Sequence, residues 1–265
     1  MSKVMIIAEA ACTWLHGGLE AAYKSIKAAK ECGADAWKTQ WTSDPLEMGK
    51  RRGMDGEKYR RLAWDPSWHE LLAARCKEYG IEYMVTTFIL KDITTIAPLV
   101  KRFKISNYEG SWLEFVDAHL TYGKQVIISK PVSTTHERDQ LKDVRTLQCV
   151  SQYPCPLEEV RISSIRGCKY TDYGRRMTWL PNCDGISDHS TSVLTGAVAV
   201  GAGARIIEKH VRLSDTPVDD PDYGHSLRCD WMQGVQYLCP GGVPPSQDTD
   251  FGKYVANIRE AERML

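Results

Sequence analysis

The sequence lacks several features that would mark other classes of protein. No apolar run reaches the ~18 residues that a membrane-spanning helix needs. No charge of one sign dominates either, because 34 Lys and Arg side chains balance 34 Asp and Glu side chains. A chain without net charge gives no sign of binding nucleic acid or a membrane surface. Its first residues, MSKVMIIAEA, are typical of a strand and not of a signal peptide. We therefore expect a cytoplasmic protein.

Nucleotide motifs and paired cysteines are missing as well. Neither GxxxxGK[ST] nor GxGxxG occurs, so no nucleotide or dinucleotide is indicated. The nine cysteines are odd in number, contain no CxxC pair and are scattered along the chain. We interpret them as reduced, small buried side chains and not as a disulfide framework.

What the sequence does contain is an alternation of short apolar runs with amphipathic segments, which is typical of βαβ units and a parallel sheet. The predicted strands are 4–9, 34–40, 81–87, 102–106, 124–129, 146–150, 184–187 and 204–210. The predicted helices are 18–33, 67–80, 91–100, 111–121, 134–145 and 250–265. Eight strands in 265 residues favour an α/β protein with one domain, a (β/α)8 TIM barrel. Right-handed crossovers then bring the carboxyl ends of all strands to one face.

Residues 185–210 are the most informative stretch. They hold two polar triplets, Ser-Asp-His ending at His189 and Glu-Lys-His ending at His210, each at the end of a predicted strand. A helix of small residues, 12–15 long, is expected between them. Two imidazoles with neighbouring carboxylates at one mouth suit a divalent ion with open coordination positions. Either histidine taken alone is equally well explained as a hydrogen-bonding neighbour.

Polar residues at the other strand ends should line the same mouth. Lys38 and Lys104 are the least expected of them, because each lies within its strand and a buried lysine needs an anion nearby. Lysines bind phosphate as point charges, and hydroxyl groups complete its hydrogen bonds. These residues predict a small ligand that carries phosphate and carboxylate, although any single strand end could simply be solvated.

Taken together, these motifs resemble those of the N-acetylneuraminate (sialic acid) synthase family. They are IIAE, GADAWKTQ, FKI with YEG, QVIIS, LQCVSQYPCP, GISDHS and GARIIEKHV with DPDYGHS. The resemblance covers most of residues 5–265. It implies a metal-dependent barrel that condenses phosphoenolpyruvate with an aldose, giving a 2-keto-3-deoxy sugar acid and phosphate by C–O cleavage.

The resemblance also implies a role for individual residues. His189 and His210 would hold the ion, which would be Mn²⁺ or Mg²⁺. Phosphoenolpyruvate would be bound by Lys38, Gln40, Thr87, Lys104, Ser129, Ser151 and Ser187. The catalytic carboxylates would be Glu9, Glu208 and Glu109, and the acceptor sugar would meet Tyr153 and Asp222.

Several positions depart from the family pattern. Residues 11–18 read ACTWLHGG where an Asn-His-x-Gly segment is usual, and residues 129–132 read SKPV in place of Ser-Thr-Gly-Met. Asn107 replaces a serine after the fourth strand, and Ser151 replaces an asparagine after the sixth. The donor is therefore better defined than the acceptor, an aldose similar or related to N-acetylmannosamine.

The domain prediction is a barrel over residues 1–265, without the antifreeze-like domain that follows the barrel in the family. Residues 228–250 are predicted to be a loop insertion, either a substitute lid or an ordinary surface loop. The oligomeric state is left open, with a homodimer as one arrangement.

Two other functions remain open. A Schiff-base aldolase would use Lys38 or Lys104 as its nucleophile, with the histidines as acid–base groups. A barrel that has lost turnover would bind phosphoenolpyruvate and metal as a sensor or a partner subunit.

Overall fold

A computed structural model describes residues 3–131, 141–165, 167–170, 177–180, 183–230 and 248–265. In chain order its strands are β1 (Met5–Ala11), β2 (Ala36–Gln40), β3 (Glu82–Thr86), β4 (Arg102–Ile105), β5 (Gln125–Lys130), β6 (Val144–Cys149), β7 (Gly167–Tyr170), β8 (Met177–Leu180), β9 (Gly185–Asp188), β10 (Ile206–Arg212) and β11 (Leu227–Arg228). Strands β1 to β6, β9 and β10 are parallel neighbours, and pairing of β10 with β1 closes them into a barrel. Strands β7 and β8 form a separate antiparallel pair, and β11 extends the sheet from β10.

The helices are α1 (Gly18–Glu31), α2 (Pro45–Arg52), α3 (Trp68–Tyr79), α4 (Asp92–Ile96), α5 (Leu113–Leu120), α6 (Thr195–Gly201) and α7 (Asp250–Arg263). They alternate with the barrel strands, which confirms the predicted (β/α)8 barrel. None of the helices in the described ranges is long and apolar enough to cross a membrane.

The core has two layers because successive strand residues face opposite sides of the sheet. One apolar cluster fills the barrel interior and consists of Ile7, Ala36, Met84, Ile127, Leu147 and Ile206. The neighbouring strand positions, such as Ile6 and Ala8 in β1, belong to a larger cluster that includes the buried faces of the helices. Interior positions beyond the apolar layer are therefore left for the polar residues of the mouth.

Three sequence predictions differ from the structure. Residues 144 and 145, predicted as the end of a helix, lie in β6, while 132–140 fall outside the described residues. Helix α6 has 7 residues instead of 12–15. It starts late because Ser190 and Ser192 bind backbone amides of the preceding loop, a local alternative to helical hydrogen bonding. The polar segment 41–66, left without structure, contains α2 and a 3₁₀ helix, Gly56–Leu62.

A fully buried ion pair connects β9 and β10 on the outer face of the barrel. Lys209 Nζ lies 3.0 Å from Asp188 Oδ2, and both side chains are inaccessible to solvent. The hydroxyls of Tyr254 and Thr195 donate to the same carboxylate oxygen. The pair holds together the two strand ends that carry the predicted metal histidines.

Lys209→Met should lower the free energy of unfolding by about 3–5 kcal/mol, because it leaves a buried carboxylate without its counterion. Urea denaturation followed by circular dichroism measures this loss. Replacing both partners, Asp188→Leu with Lys209→Met, should recover most of it because no charge is then left unpaired. A single variant within about 1 kcal/mol of the wild type, the size of an ordinary surface change, would contradict a structural role for the pair.

Candidate active site

Strand periodicity puts the polar residues just above the apolar interior. Glu9 follows Ile7 by two positions in β1, Lys38 follows Ala36 in β2, and Glu208 follows Ile206 in β10, so each faces the same interior as its apolar neighbour. Ser129 of β5 and Ser187 of β9 obey the same alternation. In the barrel register Glu9 stands beside both Lys38 and His210, and Glu208 stands beside Ser187.

Two lysines and two glutamates form a buried charge cluster. Lys38 Nζ contacts the Glu9 carboxylate and lies 3.6 Å from Glu208 Oε2, while Lys104 Nζ lies 3.6 Å from Glu208 Oε1. All four side chains are buried. Two positive and two negative charges in contact explain how lysines can stay in the barrel interior. Each buried lysine was predicted to need an anion nearby, and the carboxylates of Glu9 and Glu208 are such anions.

The end of β1 is shaped to hold Glu9 against Lys38. The register shifts between Glu9 and Ala11, and Ala11 adopts a positive φ of 46°. The Ala11 amide then donates to Glu9 Oε1 at 2.5 Å, leaving Oε2 for Lys38. Non-glycine residues in this conformation cost about 1–3 kcal/mol and cluster at functional sites.

The lysines change the titration of the cluster. Burial raises the pKa of Glu208, but the charges of Lys104 and Lys38 and the Ser187 hydroxyl outweigh burial and lower that pKa to about 2. Burial also lowers the pKa of Lys38 to about 8, against the pull of Glu208. Glu208 is therefore an anion at neutral pH, and Lys38 is close to titrating.

Hydroxyl groups surround the two ammonium groups. Lys38 Nζ donates to Thr86 Oγ1 at 2.9 Å, and Lys104 Nζ donates to Ser129 Oγ at 2.7 Å. Thr87 Oγ1 is buried and has no hydrogen-bond partner in the described part of the chain. Gln40 ends β2 two residues beyond Lys38. The four residues predicted to bind phosphate therefore lie at one end of the barrel, and the Thr87 hydroxyl has no hydrogen-bond partner among the described residues. They are Lys38, Thr87, Lys104 and Ser129.

Ser151 and Asn107, the two exchanged residues, are in contact. The Asn107 amide donates to the Ser151 hydroxyl between the ends of β6 and β4, although the residues are 44 positions apart. The family pattern has the serine and the asparagine the other way round. Two positions that differ from the family pattern are thus joined by one hydrogen bond.

The two predicted metal histidines come together. The His189 and His210 ring centroids are 5.3 Å apart. His189 Nδ1 lies 2.7 Å from the Val150 carbonyl, which can only accept, so Nδ1 carries the proton and Nε2 keeps its lone pair. Burial lowers the pKa of His189 to about 4 and that of His210 well below its usual value. Both rings are thus neutral, which metal ligation requires.

His225 is a candidate site residue that the motifs did not single out. Its ring centroid lies 4.5 Å from that of His210. Ligand atoms of His210, Asp222 and His225 all lie within 4.8 Å of one another, so these three residues form a group that could hold a metal ion. His225 follows Asp222 by three residues in DPDYGHS, a spacing that could have revealed it.

The remaining predicted residues line the rim. The Tyr153 ring lies 4.2 Å from the His189 ring, centroid to centroid, and is half exposed. Glu109 does not join the lysine cluster but accepts two hydrogen bonds of 2.8 Å from Arg52 of α2. Asp222 pairs with Arg61. Both arginines come from segment 41–66, where the sequence showed no periodic pattern.

Ser187 and Glu208 connect the histidines to the lysine cluster. Ser187 Oγ lies 3.5 Å from His189 Nε2 and donates to Glu208 Oε1 at 2.7 Å. Glu208 in turn faces both Lys38 and Lys104. The mouth therefore holds neutral imidazoles at one side and two ammonium groups at the other, joined by a hydroxyl and a carboxylate.

Comparison with known proteins shows which family the chain belongs to. The NeuB family model matches residues 25–236. A pseudaminic acid synthase from Campylobacter jejuni subsp. jejuni serotype O:23/36 (strain 81-176) is 31% identical over 260 residues, covering 88% of this chain and 72% of the relative. An N,N'-diacetyllegionaminic acid synthase from Legionella pneumophila is 29% identical, covering 87% of this chain and 69% of the relative.

A solved structure shares the fold. The crystal structure of N-acetylneuraminic acid (sialic acid) synthetase from Leptospira borgpetersenii serovar Hardjo-bovis, in complex with citrate, superposes with a TM-score of 0.76. It is 22% identical and covers 99% of this chain and 85% of that chain. The sequence relatives support the predicted enzyme class, a synthase resembling sialic acid synthases. The predicted resemblance to sialic acid synthases is confirmed, and the chain belongs to the NeuB family.

Proposed function

We propose that the protein condenses phosphoenolpyruvate with an aldose, in a metal-dependent reaction that yields a 2-keto-3-deoxy sugar acid and phosphate. The observation that carries the proposal is the continuous line from His189 through Ser187 and Glu208 to Lys38 and Lys104. It puts groups suited to a divalent ion beside groups suited to phosphate, within reach of one small substrate.

The donor would occupy the lysine side of the mouth. A phosphate dianion between Lys38 and Lys104 would share their charge with Glu208 and take hydrogen bonds from Ser129 and the unused Thr87 hydroxyl. The carboxylate of phosphoenolpyruvate would be bound by Gln40, by Ser187 and by the hydrogen-bonded side chains of Asn107 and Ser151. Because the donor's phosphate draws on both lysines, the pKa of Glu208 should rise when it binds.

The imidazole side of the mouth would hold the ion. Buried His210 Nδ1 has no hydrogen-bond partner among the described residues, and neutral nitrogen donors beside a carboxylate fit a divalent cation. When bound, such an ion supplies a Lewis acid that polarises the carbonyl group of the acceptor.

The carboxylates and lysines then act in turn. The methylene carbon of phosphoenolpyruvate forms a bond to the acceptor's carbonyl carbon as the carbonyl π bond breaks and its oxygen takes up a proton. Positive charge then develops at the carbon that bears phosphate. Glu9 or Glu208 accepts a proton from the water that adds at this carbon, a step worth about 10²–10⁴-fold. The new hydroxyl then loses its proton as the C–O bond to phosphate breaks, which leaves the 2-keto group, and Lys38 and Lys104 stabilise the departing anion.

The acceptor is proposed only as a class. The relatives are named for acetylated or related sugar acids, which supports an N-acylated aldose similar to N-acetylmannosamine or a diamino sugar. We propose that this sugar contacts Tyr153 beside the His189 ring, Asp222 paired with Arg61, and Glu109 bonded to Arg52. Residues 228–250 stay a predicted insertion, either a lid or an ordinary surface loop, because 231–247 lie outside the described residues.

A labelling experiment tests the reaction. With ¹⁸O-enriched water, Mn²⁺, phosphoenolpyruvate and an accepted aldose, the label should enter the sugar acid and not the released phosphate, because the C–O bond breaks. Mass spectrometry of both products measures this. Label in the phosphate would refute the mechanism.

The two alternatives are tested with the same reagents. A Schiff-base aldolase would be trapped on a lysine by borohydride with a keto substrate and would survive a chelator. A barrel without turnover would bind phosphoenolpyruvate but release no phosphate with any aldose of a panel. Chelator-sensitive phosphate release excludes both.

A further inference from the structure

A third imidazole adjoins the predicted metal pair and has no part in the reaction as proposed. His225 is buried, with its ring 4.5 Å from His210 and 6.1 Å from His189, centroid to centroid. It lies in a 3₁₀ turn, Tyr223–His225, that directly follows Asp222. Three residues make one turn of a 3₁₀ helix, so Asp222 and His225 face the same side.

Two buried nitrogens in this group lack partners. Among the described residues, neither His225 Nε2 nor His210 Nδ1 makes a hydrogen bond. His225 Nε2 lies 3.4 Å from Asp222 Oδ1, in contact but without hydrogen-bond geometry. Buried polar atoms are nearly always paired, so two nitrogens on neighbouring rings without hydrogen bonds in the described part of the chain indicate a missing ligand.

The spacing of the three side chains fits an ion. Ligand atoms of His210, Asp222 and His225 lie within 4.8 Å of one another. Ligands about 2.0–2.2 Å from a common metal stand up to about 4.4 Å apart, so small side-chain rotations close the set. Arg61 pairs with Asp222 Oδ2, whereas His225 lies near Oδ1. The arginine therefore orients the carboxylate, as residues that hydrogen-bond to metal ligands do.

We propose that His225 and Asp222 bind the same divalent ion as His210, with His189 at the edge of the set. The inference rests on the metal dependence proposed above and changes what that site prefers. Two or three imidazoles and one carboxylate favour Co²⁺, Fe²⁺ or Zn²⁺ over Mg²⁺, because nitrogen donors suit the later divalent metals. Asp222 then belongs to the metal site as much as to the acceptor pocket.

Cobalt binding to the full chain, without phosphoenolpyruvate, tests this. Calorimetry gives the affinity, and visible absorption reports the ligands of Co²⁺. His225→Gln should weaken Co²⁺ binding by about 10- to 100-fold, because even the loss of a residue that only orients a metal ligand has an effect of this size. The visible spectrum of bound Co²⁺ should change as well. His16→Gln is the matched control, because His16 also lies beside an aspartate, Asp215, at 3.2 Å, yet outside the proposed set.

Each outcome decides one point. Equal cobalt affinity and spectra for wild type and His225→Gln would overturn the role of His225 and leave the proposed reaction intact. A wild-type protein that binds neither Co²⁺ nor Mn²⁺ would overturn the metal dependence as well. If His225→Gln fails to fold by circular dichroism, Asp222→Asn is expected to weaken cobalt binding in the same way, and unchanged binding there would overturn the inference.

Discussion

The double variant His189→Ala/His210→Ala should lower kcat/KM by at least about 1,000-fold, because Lewis-acid stabilisation is worth several kcal/mol and each 1.36 kcal/mol is tenfold. His189 loses the Nε2 lone pair that the Val150 carbonyl orients, and His210 loses a nitrogen with no other partner among the described residues. Phosphate release at saturating Mn²⁺ measures the loss. Metal content after dialysis should fall with it.

Two comparisons make the result specific. Glu9→Gln removes one acid and should cost less than the loss of both histidines. His16→Gln changes a histidine outside the candidate metal group and should keep wild-type turnover. A metal role for these rings would be contradicted if the double variant kept a tenth or more of the wild-type rate and if a chelator did not lower that rate.

Lys104→Met should reduce kcat/KM by about 10²–10³-fold, the effect of losing one charged or polar group that stabilises a developing anion. The ammonium group now bonded to Ser129 and facing Glu208 would be absent when phosphate departs. The KM for phosphoenolpyruvate should rise, and kcat should fall with it. Steady-state kinetics in both substrates separates these effects.

Lys124→Met is the matched control. Lys124 directly precedes β5, at the opposite end of the barrel from the mouth, and its ammonium group donates to the carbonyls of Ala97 and Val100. It should alter stability but not the KM for phosphoenolpyruvate. Similar kinetic losses in the two variants would mean that Lys104 acts through folding, and thermal unfolding of both settles that comparison.

The site residues that could be predicted from the sequence are those that stand in or directly after an apolar strand. Lys38, Lys104 and His210 lie within strands, and His189 directly follows one. Period-2 alternation and parallel topology bring all four to one mouth. A lysine inside an apolar strand predicts an anion without any knowledge of the partner. The structure supplies that partner as Glu208.

The residues that the sequence missed act through distant partners. Arg52 reaches Glu109 across 57 positions, and Arg61 reaches Asp222 across 161. No periodic pattern in segment 41–66 indicates such contacts, since the arginine pairing is set by where α2 and its following turn lie against the mouth. His225 was within a recognised motif but contributes only because a 3₁₀ turn brings it beside His210.

The exchanged pair shows a similar limit. Asn107 and Ser151 each counted as a departure from the family pattern when taken singly. The structure joins them in one hydrogen bond. A one-dimensional comparison cannot detect this, because the residues lie after β4 and β6 and meet only when the barrel closes.

A crystal structure with Mn²⁺ and phosphoenolpyruvate, without acceptor, tests the central claim most directly. Anomalous scattering at the manganese edge should locate the ion against His210 and His189 or His225. The phosphate should lie between the ammonium groups of Lys38 and Lys104. An ion bound away from these rings, or a phosphate bound elsewhere on the barrel, would contradict the proposed condensation.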